Sequence, residues 1–301
     1  MMDNNDDCQS IFSPPTGLIR DIFRSVNCLM PTPFIGCRIH LLAKTIGLGL
    51  PITSMFKVNT GGPKPSGMWI SSFYKVTEWQ GLDASVMTDF NPKSGKWSFE
   101  AISRMEIYKN WLDVSLAGQV CRWCSPIKCA INLDYWFPDR TLSLSIDPVL
   151  KDCSFQILQS VTNELSLGLI LAFKRNTPCD LDKSHLQPKL VAKYAGPSYL
   201  VSGRLNMASG ATKLAYYRHC TDWLQTGTTI NLDPACSEVI SRLAFRIISD
   251  TSVFRAAIDT KGIVSSLWEK RLREDRLTVS LSSFLNHSVD NYGVGIGLSF
   301  E

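Results

Sequence analysis

The sequence predicts an all-β fold: a transmembrane antiparallel β-barrel of about nineteen strands, with an N-terminal helix inside or against the wall. Three observations predict it. First, from about Trp69 to the C-terminus the dominant signal is period two. Leu112, Val114, Leu116, Gly118 and Val120 alternate with Asp113, Ser115, Ala117 and Gln119. Successive strand residues point to opposite faces, so each such run has one apolar and one mixed face. Second, the apolar faces carry no Lys, Arg, Asp or Glu, while the opposite faces are rich in Ser, Thr, Asn, Gln, Gly and Ala. A Lys or Arg facing lipid near the midplane would cost about 2–4 kcal/mol, and small polar side chains suit a crowded aqueous lumen. Third, many runs last about 9–11 residues, enough to cross a bilayer when tilted, whereas soluble strands are more often about 5–6 residues.

Composition narrows the classes further. With 45% hydrophobic and 19% charged residues, the 301-residue chain is not intrinsically disordered. A net charge of +4 is too mild to require a nucleic-acid partner, and none is expected. No apolar run of about 18 residues marks a membrane helix, which leaves a barrel open. Residues 1–10 are acidic and polar, with neither signal-peptide nor transit-peptide character. Ten cysteines without a secretory route read as free thiols. Cys121-Arg122-Trp123-Cys124, with Cys129 nearby, is the one close pattern. A zinc site wants a second pair or grouped histidines, and His40, His185, His219 and His287 are dispersed, so no metal or cofactor is expected.

The elements follow in order. Residues 1–15 read as a short disordered acidic tail ending in Pro14-Pro15, and residues 16–34 as a helix and linker. Leu18, Ile22 and Val26 fall at i, i+4 and i+8 with Ile19 and Phe23 beside them, so one helical face is apolar. Pro31 and Pro33 end it. Residues 35–301 form the barrel, although 45–95 and 176–190 alternate poorly. Ile131, Leu133 and Tyr135 make one face, Pro138-Asp139-Arg140 turns the chain, and Leu142, Leu144 and Ile146 continue it. One strand and turn every ~14 residues gives about nineteen strands. Tyr135, Phe137, Tyr199, Tyr292 and Phe300 lie near strand ends, as an interfacial girdle would. The basic cluster Lys270, Arg271, Arg273 and Arg276 reads as a loop at the membrane surface.

The last strand strips its polar face to Gly293, Gly295 and Gly297, which lets another backbone approach closely, such as a helix inside the barrel. It also fits the mitochondrial barrel-insertion signal, polar-x-Gly-x-x-apolar-x-apolar, with Asn291, Gly293, Ile296 and Leu298. An ordinary edge strand is the plainer alternative.

Three stretches carry a family resemblance. They are Pro15-Thr16-Gly17-Leu18 through Phe34-Ile35-Gly36-Cys37-Arg38, then Met207-Ala208-Ser209-Gly210 with Leu214-Ala215-Tyr216-Tyr217-Arg218, and roughly residues 238–301. In these the chain resembles the mitochondrial porin superfamily, and within it the channel-forming forty-kilodalton subunits of the outer-membrane protein translocase. The resemblance implies nineteen strands with the first and last parallel, a helix within the pore, and the mitochondrial outer membrane. It implies a protein-conducting channel for unfolded precursors. It also implies receptor and small single-helix subunits, lipid, and barrel homodimers as partners.

Such precursors carry basic amphipathic presequences, so a conducting lumen should offer carboxylates. Alternation points Asp113, Asp134 and Asp147 inward on three successive strands, and Glu100 joins them if Trp97, Phe99 and Ala101 face out. These four are the candidate presequence contacts; pairing with neighbours such as Lys128 is the alternative. Trp136, Ile170, Leu200 and Phe284 are apolar residues on polar faces, suited to sliding contacts or to packing the helix. Arg242, Arg246 and Arg255 also face inward, which a voltage-dependent anion channel-like metabolite porin would use. A soluble β-rich binding protein is the second alternative. No phosphate-loop or metalloprotease motif is present and no catalytic residue is assigned, so an enzyme is not expected.

Overall fold

The computed structural model describes the backbone of residues 17–47, 50–60, 68–79, 82–91, 96–107, 110–121, 128–175, 184–273 and 277–300. Side chains are described for 17–41, 97–107, 110–120, 129–173, 186–272 and 277–300. Among these residues nineteen strands form one sheet. They begin with β1 (Gly36–Gly47), β2 (Leu50–Thr60), β3 (Met68–Trp79), β4 (Leu82–Asn91), β5 (Lys96–Ile107) and β6 (Asn110–Cys121). Next come β7 (Lys128–Trp136), β8 (Arg140–Asp147), β9 (Asp152–Ser160), β10 (Leu165–Arg175), β11 (Ser184–Ala195) and β12 (Tyr199–Asn206). The last are β13 (Thr212–Thr221), β14 (Leu224–Asp233), β15 (Glu238–Ile248), β16 (Ser252–Asp259), β17 (Ile263–Arg273), β18 (Leu277–Asn286) and β19 (Asn291–Phe300).

Each strand pairs antiparallel with the next. An odd number of alternating strands leaves the first and last running the same way. They pair parallel, Gly36 opposite Gly295 through Leu41 opposite Phe300, and the ring closes. Closure leaves no edge strand to be hydrogen-bonded inside lipid. The end of β1 and all of β2, β3 and β4 fall within 45–95, where alternation is poor. In these strands the sequence itself has apolar residues at both parities, Leu41 and Leu42 in β1 and Met55 and Phe56 in β2. Pro188 sits within β11 without cost to the ladder. Its carbonyl accepts from Met207 N at 2.9 Å, just past the end of β12, where a missing N–H breaks no strand pair.

The outer face is apolar. Leu190, Leu243 and Ile296 are among its large exposed side chains, at 45%, 52% and 53% exposure. A ring of this kind around a soluble protein would far exceed the apolar patches soluble chains carry, so the soluble alternative is set aside in favour of a lipid-facing wall. No described helix is long and apolar enough to cross a membrane. Tyr194, Tyr199 and Tyr216 share the outer face near one rim, with ring centroids 5.8 and 6.4 Å apart. The Tyr194 hydroxyl donates to Glu164 Oε2 at 2.6 Å in the adjacent turn, as an interfacial tyrosine with one apolar and one wet end would. Lys270, Arg271 and Arg273 belong to the end of β17 rather than to a loop, and Arg276 lies outside the described residues.

Inside the ring lies the N-terminal segment. The tail expected over 1–15 falls outside the described residues, as does Thr16. The helix expected over 17–26 is broken into a 3₁₀ turn, Ile19–Asp21, and a short helix, α1 (Arg24–Asn27), neither with a side-chain cap. Its apolar residues are nevertheless those expected: Leu18, Ile22, Phe23 and Val26 are buried. The break has a packing reason. Ile19, Ile22, Phe23, Val26 and Leu29 share one core with Leu158, Ile170, Val191, Leu200, Tyr217 and Ala257, residues spread along a concave wall from β9 to β16. A straight helix could not follow that curve.

Candidate functional site

The candidate site is the lumen, built from one parity of each strand together with the N-terminal segment. The segment tracks the wall strand by strand. The Gly17 carbonyl accepts from Thr141 Oγ1 on β8 at 2.8 Å. Phe23 lies under Lys213 Nζ at 4.4 Å and Arg204 at 5.7 Å, on β13 and β12, as cation–π contacts. A β-carbon on Gly227 of β14 would stand 2.7 Å from Leu29 Cδ1, so glycine there makes room for α1's exit. Farther on, Phe34 N donates to Ser282 Oγ of β18 at 2.9 Å. Arg38 lies 4.1 Å over the Phe34 ring. The glycine face of β19 therefore receives the linker rather than a helix. A β-carbon on Gly295 would collide with the Phe34 carbonyl oxygen, and one on Gly293 would stand 2.5 Å from Ile35.

Four inward carboxylates were expected. The register puts Asp113 on β6 directly opposite Asp134 on β7, and Arg104 on β5 opposite Asp113. Both aspartates are buried. Arg104 grips Asp113 with two of its guanidinium nitrogens, Nε to Oδ1 at 2.7 Å and Nη2 to Oδ2 at 2.8 Å. Trp136 Nε1 adds a third hydrogen bond to Asp113 Oδ2 at 3.1 Å, so this tryptophan orients a carboxylate rather than offering a bare apolar surface. Asp134 Oδ2 is met by Arg20 Nη2 of the N-terminal segment at 2.8 Å. Like charges opposite each other across a ladder repel, and each aspartate here is balanced by its own guanidinium.

Glu100 shares the lumen side of β5 with Arg104, four residues along and opposite Ala117. Trp97 and Phe99 take the outer side, as expected. Asp147 has the expected parity but stands at the other end of the wall. It closes the β8–β9 turn by accepting from Val149 N and Leu150 N at 3.0 and 2.9 Å. The acids therefore form an adjacent pair with outliers, not one patch. Glu106 and Asp152, opposite Trp111 and Asp147, share that face and went unremarked in the sequence, although the same parity rule reaches them. Parity would also have found Arg104. Nothing local in the sequence points Arg20 at Asp134.

The far side of the lumen is basic. Lys189, Lys193, Arg204 and Lys213 of β11–β13 are followed by Arg242, Arg246 and Arg255 of β15 and β16. Some are balanced: Arg242 meets Asp259 at 3.3 Å and Arg255 meets Glu269 at 3.0 Å. Ile170 and Leu200 pack the N-terminal segment, while Phe284 sits opposite Gly293. The insertion-signal residues lie on β19, with Ile296 and Leu298 on the outer face and Gly293 on the inner. Among the described residues no group of three or more His, Cys, Asp or Glu could hold a metal. The segment between Cys121 and Cys124 lies outside the described residues.

A family model described as eukaryotic porin matches residues 15–295. The chain belongs to the eukaryotic porin family. Solved porin folds agree. A chain reported under "Asymmetric conductivity of engineered proteins" aligns at a TM-score of 0.53 with 10% identity, covering 77% of this chain and 96% of its own. A mutant of the Rh. blastica porin aligns at a TM-score of 0.50 with 10% identity, covering 75% and 94%. Curated relatives of this porin are mitochondrial import receptor subunits. TOM40 homolog 2 of Drosophila melanogaster is 29% identical over 174 residues, 55% of this chain and 50% of that protein. The TOM40 homolog of Xenopus laevis is 26% identical over 144 residues, 47% and 41%. Neurospora crassa tom40 is 29% identical over 153 residues, 48% and 43%. The matched region thus spans about half, or less, of these relatives' length.

Proposed function

We propose that this porin is a protein-conducting channel that passes unfolded precursor polypeptides across the mitochondrial outer membrane. One observation carries the reading: a wall carboxylate, Asp134, holds an arginine presented by a peptide segment inside the lumen, at 2.8 Å. A basic presequence offers the same group on the same kind of backbone. Glu100 and Glu106 extend the acidic side along β5, and Ile102 adds an exposed apolar side chain on that face for the other side of an amphipathic helix. No covalent chemistry is needed. A sliding chain needs several weak contacts rather than one tight site, and each solvated pair contributes about 1 kcal/mol or less.

The import receptor names of the relatives support the same assignment. Precursors with cationic presequences, receptor and small single-helix subunits, membrane lipid and a second copy of the barrel are its proposed partners. The basic side of the lumen favours the second reading, a channel for small anionic metabolites.

Planar-bilayer conductance with an added cationic presequence peptide separates the two. Concentration-dependent block is expected, reduced severalfold when Glu100 and Asp134 are changed to Gln and Asn. Anion selectivity with indifference to the peptide would assign the metabolite reading instead.

A further inference from the structure

We propose that Arg20 is a built-in competitor for the carboxylate that precursors use, so that the channel carries its own tethered occupant at Asp134. The inference rests on the precursor-channel reading and adds a regulation to it. Three features of the contact support it. The Asp134 carboxylate is almost fully covered, with 3% of its side chain exposed, whereas the Arg20 side chain is 49% exposed. A basic group arriving through the lumen therefore meets Arg20 first and reaches Asp134 by displacing it. Next, the neighbouring carboxylate is not open to exchange in the same way. Asp113 is gripped by two nitrogens of Arg104 and by Trp136, all three donors belonging to the wall. Finally, Arg20 is pre-positioned by anchors on both sides of it. Thr141 holds the Gly17 carbonyl at 2.8 Å, and Ile19 and Ile22 are buried in the interior core.

Tethering makes Arg20 a ligand at high effective concentration for Asp134, so its ion pair re-forms each time a precursor's basic residue leaves. The same feature sets a threshold: a segment with one isolated cation competes poorly, and a presequence with several competes well. Arg20 would thus both screen for basic segments and help to release them.

The test is peptide block of the full-length chain in planar bilayers, with the cationic presequence peptide as probe. Arg20→Gln is expected to lower the half-blocking concentration about fivefold, and Arg20→Lys to restore the wild-type value. Arg20→Gln/Asp134→Asn should match Asp134→Asn alone, because the shared acceptor is gone. Carbonate-resistant membrane assembly of each variant shows that the barrel has formed. Equal block in wild type and Arg20→Gln would overturn the competitor while leaving the precursor channel standing. Enhanced block that persists in the double variant would also overturn it, by moving the effect away from Asp134. Absence of block in every variant would remove both readings.

Discussion

Asp134 and Gly295 show, at the scale of single residues, how far alternation carries and where it stops. Alternation put the three aspartates and Glu100 on the lumen side because a strand's side chains have period two, and the register agrees. It could not say that Asp147 closes a turn, because that depends on where β8 ends. Nor could it find Arg20, which reaches Asp134 across 114 positions of sequence by the path of the folded segment. Gly295 was legible as a site of close backbone approach, but not which backbone. The Phe34 carbonyl oxygen and ring press on it, with Cδ2 2.7 Å from the place a β-carbon would take. Backbone cannot yield as a flexible side chain can. Gly295→Val is therefore expected to destabilise the barrel by about 1–3 kcal/mol, the usual cost of overpacking. Thermal unfolding in detergent reads this as a lowered midpoint; an unchanged midpoint would mean that the linker does not press on β19.

The elements divide by how they bury their apolar residues. β6, β7, β8, β10, β12, β15, β16, β18 and β19 present lipid on one side and lumen on the other, so the sequence shows two faces there. β1 to β4 were obscured because apolar residues occupy both parities there. The N-terminal helix was legible by its apolar spacing, yet its length was not, since the wall's curvature decides where it breaks. β19 is the element on which closure turns: it pairs antiparallel with β18 and parallel with β1. Removing residues 291–301 deletes both pairings and exposes two strand edges to lipid, where unpaired backbone groups are costly. Such a chain is expected to fail to assemble. Carbonate extraction of mitochondria would find it in the soluble fraction or degraded. Its recovery in the membrane pellet at wild-type level would show that the terminal strand is neither the closing element nor the insertion signal.

At the scale of the whole molecule, a closed ring of odd strand number surrounds a lumen whose charge is unevenly shared. The N-terminal segment packs along β9–β16, and its Arg20 meets Asp134 on the nearby β7. A large barrel leaves an aqueous interior, and here part of that interior is filled by the chain's own beginning. Everything proposed for the lumen requires that adjacent residues of a strand meet different surroundings, lipid on one side and water on the other. β5 offers the most direct measurement, because its lumen side is not covered by the core of the N-terminal segment. In a background without the ten native cysteines, single cysteines are placed at Ser98, Glu100 and Ile102 and at Phe99, Ala101 and Ser103. Assembled in bilayers, the first three are expected to react with a water-soluble, membrane-impermeant thiol reagent and the second three to stay protected. Equal labelling of both sets would contradict the barrel and every lumen assignment built on it.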